Sequence, residues 1–153
     1  MKRNQKLIET LNSLLADELT AASQYMVLSG ISENWGYSKH FEKRAFGEVK
    51  HADSLIGGVL FRDGIPVVST LPDMGIGPGV ATQLENELLA EEGAINACNS
   101  AIVGAGDVTD FATRERLEDI FKDEDRHIDK LEERPDQIKH MACEYFSALK
   151  WDS

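Results

Sequence analysis

The amino-acid sequence predicts an all-α fold: a four-helix bundle with a long crossover between helices 2 and 3 and a short fifth helix at the C-terminus. Apolar residues recur at helical spacing in four long segments, and glycine and proline punctuate the chain between them. No stretch alternates for long enough to predict a strand. The 153 residues suffice for one domain, 1–153, with a substantial core.

The first two predicted helices span about residues 4–33 and 38–62. Each presents one apolar stripe to a core, because its apolar residues recur every three or four positions. The first stripe comprises Leu7, Leu11, Leu14, Ala22 and Tyr25, and the second comprises Phe41, Ala45, Ala52, Leu55 and Val59. The glycine-containing segments 34–36 and 63–66 end these helices.

The second half of the chain follows a long connection, because residues 64–79 hold three prolines and four glycines. The third helix is predicted over about 80–103, the fourth over about 109–134 and a tail helix over 137–149. Thr109 or Asp107 is the expected N-cap of the fourth helix. The third stripe comprises Val80, Leu84, Leu88, Ile95 and Ile102, and the fourth comprises Leu117, Ile120, Ile128 and Leu131.

One glutamate interrupts each apolar stripe. These residues are Glu18, Glu48, Glu91 and Glu124. A buried carboxylate costs several kcal/mol unless it is protonated, paired or bound to a metal. No lysine or arginine is expected on the stripes to neutralise the four charges. Metal cations are therefore the expected counter-charges.

Two of these glutamates begin Glu-x-x-His motifs, Glu48 with His51 and Glu124 with His127. Residues three apart lie on one helix face and can bind one site. Each half of the chain places a single glutamate before its motif, at separations of 30 residues (18 to 48) and 33 residues (91 to 124). This pattern is typical of di-iron and di-manganese carboxylate bundles. Carboxylates and imidazoles without thiolates suit iron or manganese better than a structural zinc ion.

Several segments beyond these motifs are similar to one known family. They are 14–19, 24–25, 34–36, 50–53, 60–61, 64–66, 123–124 and 127–129. Through them the chain resembles bacterioferritin over essentially its whole length. The resemblance implies a hollow homo-oligomeric shell of twenty-four subunits. In each subunit a ferroxidase centre with two iron ions would oxidise Fe(II), with O2 or H2O2 as oxidant, and feed a ferric mineral core.

The resemblance also assigns roles to the site residues. Glu18 and Glu91 match outer carboxylate ligands, Glu48 and Glu124 match bridging carboxylates, and His51 and His127 match terminal nitrogen ligands. Glu91 is preferred to Glu87 and Glu92, because both the stripe and an ungapped match select it. Tyr25 matches a family tyrosine beside the di-iron site, although a core tyrosine with a hydrogen-bond partner explains it equally well.

The haem site of the family is where the sequence departs from the pattern. The family ligand is a methionine that follows the first bridging glutamate, and Val49 stands there. Met26 is a weak alternative, so haem is not expected. Lys43 and Gly47 replace residues with which some relatives bind an extra iron. Electron delivery through haem and a small ferredoxin is therefore in doubt, and co-assembly with a haem-binding sister subunit is an alternative to a homo-oligomer.

Composition narrows the function classes further. The net charge of −11 argues against nucleic-acid binding, and no apolar run predicts a membrane span or a signal peptide, so a cytoplasmic protein is expected. Cys98 and Cys143 are expected to be unpaired thiols.

Four other functions are open to the same fold. A di-iron or di-manganese peroxidase or catalase-like scavenger without mineral storage is the main alternative. A rubrerythrin-type protein is disfavoured because no CxxC pair occurs. A DNA-protecting mini-ferritin is disfavoured because the chain has no basic tail and carries its ligands within one subunit. A metal-free structural bundle would leave the four core glutamates unexplained.

Overall fold

The computed structural model of the protein describes residues 4–31, 38–74 and 80–132. Four helices follow in chain order: α1 (Gln5–Ile31), α2 (Ser38–Leu60), α3 (Val80–Asp107) and α4 (Phe111–Glu132). These described ranges contain no strand, and the predicted all-α bundle is confirmed. The predicted tail helix 137–149 and Cys143 lie outside them.

The helices pack as two hairpins, α1 with α2 and α3 with α4. The hairpins meet through contacts of α1 with α3 and of α2 with α4. The chain that leaves α2 is held against α1 by Asn12, whose side-chain amide donates to the Ile65 carbonyl oxygen at 3.1 Å. The side-chain oxygen of Asn12 accepts from the Val67 N–H at 2.9 Å. The start of the connection is therefore an ordered segment, as expected.

The core is built from large apolar residues of α1, α2 and α4 and small ones of α3. Leu11, Leu15, Leu55 and Leu117 are fully buried. Among the side chains of α3 that the structure describes, those of residues 86–107, the buried apolar ones are Cys98, Ala101 and Ala105. The prediction for α3 was therefore wrong in part: Leu88 is exposed and Ile95 is half-buried, whereas the half-buried Ile102 packs against the core. The side chains of Val80 and Leu84, which belong to the same predicted stripe, lie outside the described part of the helix. Ile95 and Ile102 each lie three residues before a buried residue, Cys98 and Ala105. Because a step of three residues rotates about 60° short of a full turn, the large residues form a row beside the most deeply buried row.

The ends of α2 and α3 follow one pattern. Asp63 and Thr109 have φ values of 55° and 56° and turn the chain out of the helix. The next backbone N–H then bonds back five residues, from Gly64 to Val59 at 3.0 Å and from Asp110 to Ala105 at 2.8 Å, as in a Schellman motif. Because the left-handed residue comes only at 109, α3 extends to Asp107, past the predicted end at 103.

The N-cap of α4 is Asp110, whose Oδ1 accepts from the Thr113 N–H at 3.2 Å. The predicted caps, Thr109 and Asp107, were wrong, because Thr109 is used for the left-handed turn before the helix. Asp110 is buried and also forms an ion pair with the buried Arg62 at the end of α2. One side chain thus begins α4 and ties the two hairpins together at this end of the bundle.

Candidate metal centre

The structure brings all six predicted ligands together inside the bundle. α1 contributes Glu18, α2 Glu48 and His51, α3 Glu91, and α4 Glu124 and His127. Five of them are buried, and His127 is half-buried. They converge because each lies on the inward face of its helix, where a leucine or alanine would otherwise pack.

Their ligand atoms form two groups, within each of which all atoms lie within 4.8 Å of one another. The group called here the first half comprises Glu18, Glu48, His51 and Glu124, and the second half comprises Glu48, Glu91, Glu124 and His127. Both halves contain the same two carboxylates, and each adds one glutamate and one histidine of its own. This is the arrangement that two neighbouring cations with two shared carboxylates require.

His51 lies at the middle of the first half. Its Nδ1 atom is 2.9 Å from Glu124 Oε1, 3.2 Å from Glu48 Oε2 and 3.4 Å from Glu18 Oε2. Its other nitrogen, Nε2, is 3.3 Å from Asp123 Oδ2. A carboxylate behind a metal-binding histidine fixes the ring orientation. The sequence pattern does not indicate this role for Asp123, although the residue directly precedes Glu124.

Arg44 lies in the second half. Its Nη2 atom is 2.5 Å from Glu91 Oε1 and 3.0 Å from Glu48 Oε1, and Nη1 contacts His127 Nδ1. The expectation that no lysine or arginine lies on the stripes was therefore wrong. Arg44 is four residues before Glu48, so it shares the inward face of α2, and its guanidinium carbon lies 4.8 Å from the centre of the Tyr25 ring.

Tyr25 completes this hydrogen-bond network. Its hydroxyl donates to Glu91 Oε1 at 2.8 Å and accepts from Arg44 Nη2 at 3.1 Å. Glu91 is buried, whereas its neighbour Glu92 is exposed. Glu87 is also buried, but it belongs to neither half of the centre. Of these three glutamates, Glu91 is the one whose carboxylate belongs to a group of the centre, and its role as a ligand stays a prediction.

The two shared carboxylates have unsatisfied oxygens. Glu48 Oε1 and Glu124 Oε1 are buried and accept no hydrogen bond from any residue that the structure describes. Arg44 Nη2 and His51 Nδ1 lie within ion-pair distance of these atoms, but not in hydrogen-bonding geometry. Buried polar atoms of this kind cost free energy unless a partner is present. Metal cations fit these residues, because they would coordinate both atoms.

The close packing of charged groups in the centre raises the pKa of some residues and lowers that of others. Burial, with the neighbouring carboxylates, raises the pKa of Glu18 well above its usual value. Burial likewise raises the pKa of Glu91 to about 9, although Arg44 opposes the shift. Burial alone would raise the pKa of Glu124, but the adjacent His127 and His51 lower it. Burial alone would lower the pKa of His51, but the surrounding carboxylates raise it.

Comparison with known proteins gives the family. A model of the ferritin-like domain matches residues 8–141. The chain is 34% identical to bacterioferritin of Rhodobacter capsulatus over 152 residues, which are 97% of this chain and 94% of the relative. It is 30% identical to bacterioferritin of Mycolicibacterium paratuberculosis over 151 residues, covering 97% and 95% of the two chains. The chain belongs to the bacterioferritins, within the ferritin-like family.

In this bacterioferritin-family chain, the two residues considered for haem binding both lie on the surface of the subunit. Val49 on α2 is 46% exposed and Met26 on α1 is 64% exposed. Neither residue reaches the centre. Among the described helices, none is both long and apolar enough to cross a membrane.

A cavity of about 400 Å³ opens between α2 and α4 and reaches His51. Asp119 and Asp123 line it together with Arg116. The cavity therefore reaches the outer side of the first half, at His51 and Asp123. In this bacterioferritin-family subunit the lining is partly acidic, and acidic linings attract cations.

Proposed function

We propose that this chain is a cytoplasmic subunit for iron storage and detoxification, whose centre is a ferroxidase that supplies Fe(III) to a mineral core inside an oligomeric shell. The observation that carries the proposal is the sharing of Glu48 and Glu124 between two four-residue groups. Two bridging carboxylates would hold two ions side by side, and an adjacent pair of ions can deliver two electrons to one oxidant.

The remaining ligands divide between the two ions. Glu18 and His51 would hold one, and Glu91 and His127 the other. Four carboxylates balance the charge of two divalent ions. Fe(II) is the substrate: two ions give one electron each, which together reduce one O2 to H2O2, or one H2O2 to two waters, with uptake of two protons. Manganese would suit the same donor atoms.

Tyr25 is a positioning residue in this proposal. Burial, followed by the nearby charge of Glu91, raises the pKa of Tyr25 well above its usual value. The phenol therefore stays protonated and keeps donating its hydrogen bond to Glu91. Asp123 acts in the same way on His51, because its carboxylate fixes the direction in which Nδ1 points.

Replacement of the ligands tests the centre. Glu48→Ala and His127→Ala should abolish rapid Fe(II) oxidation, measured by the absorbance of the ferric product. The oligomer should stay intact by size-exclusion chromatography with light scattering. Glu91→Ala should also lose activity, whereas Glu92→Ala, a change at an exposed neighbour, should retain it. Wild-type oxidation by the Glu48→Ala protein would disprove the assignment.

Iron loading separates storage from peroxide scavenging. A storage protein should form a closed shell, which the resemblance to bacterioferritin predicts to have twenty-four subunits. It should also retain far more iron than its centres can hold. A scavenger would instead consume peroxide with metal only at the centres. Measurement of particle size and of iron per subunit after aerobic loading distinguishes these outcomes.

Haem is not part of the proposed subunit, because Val49 offers no ligand atom and stands where the family has methionine. The purified protein should show no Soret absorbance. A stoichiometric Soret band with methionine-type ligation would overturn this prediction. Purification from the native host would show whether a haem-binding sister subunit assembles with it.

A further inference from the structure

Arg44 makes unequal contacts with the two halves of the centre. It contacts three of the four residues of the second half, Glu48, Glu91 and His127. Of the first half it contacts only the shared Glu48. The first half has a histidine of its own, His51, amid its carboxylates. The guanidinium therefore belongs to the second half.

The contact with His127 competes directly with metal binding. A neutral imidazole has one nitrogen that accepts and one that donates a proton. Arg44 Nη1 can only donate, so His127 Nδ1 is the accepting nitrogen and its single lone pair is engaged. Nδ1 is also the ring nitrogen that faces the centre, since it lies 3.6 Å from Glu124 Oε2. A metal ion there would need the same lone pair. The guanidinium and a metal ion at Nδ1 of His127 exclude each other.

The charges also favour the replacement of the Arg44 guanidinium by a metal ion. Arginine keeps its positive charge at any physiological pH, and its planar fork can bind several acceptors at once. At Arg44 the fork engages Glu91 Oε1 at 2.5 Å and the Tyr25 hydroxyl at 3.1 Å. The guanidinium therefore supplies one positive charge to a cluster of buried carboxylates. A divalent ion in the same half would supply two charges and make this one superfluous.

We propose that Arg44 is a resident counter-ion of the second half, which a metal ion must displace, so that the two halves fill in order with the half containing Glu18 and His51 first. This inference rests on the proposed function, since it concerns metal binding at the same centre. Displacement makes the second ion bind more weakly than the ligands alone would allow. The second half consequently loads only at higher metal concentration.

Titration of the metal-stripped full-length protein with Co²⁺ tests the order, because Co²⁺ avoids turnover and its visible absorption reports coordination. The wild-type protein should bind one ion per subunit tightly and a second more weakly. Arg44→Met should tighten the second step by about tenfold or more, the factor expected for removal of one competing hydrogen bond to a charged group. The first step should change much less, because Arg44 contacts the first half only through the shared Glu48.

Lys43→Met is the matched control, because it removes one positive charge from an exposed neighbour on the same helix. It should leave both steps as in the wild type. Arg44→Lys keeps the charge without the fork and should tighten the second step by a smaller factor. A residue with a purely structural role would instead weaken both steps when replaced.

The possible results separate the two proposals. If no folded variant binds Co²⁺, the metal centre itself is wrong. Two equal steps in the wild type, or an unchanged second step in Arg44→Met, would leave the centre standing and overturn the role of Arg44. If Arg44→Met does not fold, the wild-type titration and Arg44→Lys still decide the question.

Discussion

Glu48 is 1% exposed, and its Oε1 atom, like that of Glu124, accepts no hydrogen bond from the described residues. An unsatisfied buried oxygen costs about 1–3 kcal/mol, and more when it is charged. Leucine at these positions would pack without that cost. The two shared carboxylates thus lower the stability of the subunit, and metal binding is the gain that explains their presence.

The thiol of Cys98 gives a prediction about reactivity. Burial raises the pKa of Cys98 to about 12, and the thiol donates to the Leu117 carbonyl oxygen at 3.3 Å. Because the thiolate is the reactive form, the folded protein should hardly react with Ellman's reagent at pH 8. A Cys143→Ser background isolates this thiol, and unfolding in guanidinium should expose it. Rapid labelling of the folded variant would contradict the prediction.

The convergence of the six residues of the centre was predictable, because a carboxylate in an apolar stripe breaks a simple rule. Arg44 was not found, although it occupies the same face of α2, because an arginine is expected to keep its charged head in solvent. Only the structure shows its guanidinium beside the Tyr25 ring. Asp123 was missed for another reason: it lies off the apolar stripe, and only the position of the His51 ring gives it a role. Both roles depend on distances between helices.

At the scale of single elements, the predictions that failed for α3 concern its buried face and the position of its end. The stripe of α3 was assigned from its large residues, but the face that packs most deeply carries Cys98, Ala101 and Ala105. The predicted end of α3 was residue 103, just before Gly104 and Gly106, yet the helix continues through both glycines to Asp107. Intrinsic propensity is a weak guide where tertiary contacts hold a helix.

The start of α4 gives a prediction about stability. Asp110→Ala removes the N-cap and leaves Arg62 buried without its carboxylate partner. Breaking a buried ion pair costs about 3–5 kcal/mol, and losing a cap about 1 kcal/mol. Urea unfolding of the metal-stripped protein should show a loss in this range. Asp107→Ala, at an exposed position, should be nearly neutral, and equal losses in both variants would refute the assignment.

At the scale of the whole molecule, the centre spans the boundary between the hairpins. The first half takes residues from α1, α2 and α4, and the second half from α2, α3 and α4. Each hairpin packs more extensively within itself than against the other. Metal ions at the centre would therefore strengthen the less extensive of the two kinds of contact.

Metal removal should consequently lower the melting temperature. A ligand that binds only the folded state stabilises it by about 2.7 kcal/mol at one hundred times its dissociation constant. Zn²⁺ should raise the melting temperature of the stripped protein in differential scanning calorimetry. Glu124→Ala, which damages both halves, should abolish the increase. Asp129→Ala, at an exposed position of α4 that does not line the cavity, should preserve it. An equal increase in all three proteins would mean that the metal binds elsewhere.

The division of ligands between the two hairpins also has a consequence for the synthesis and folding of each new chain. When α1 and α2 emerge from the ribosome, they carry Glu18, Glu48 and His51 but no complete group. Either half exists only after α4 has docked. On the proposed function, an unfinished or partly unfolded chain therefore cannot oxidise Fe(II). The oxidation can begin only in a subunit that has folded and is able to join the shell that holds the ferric product.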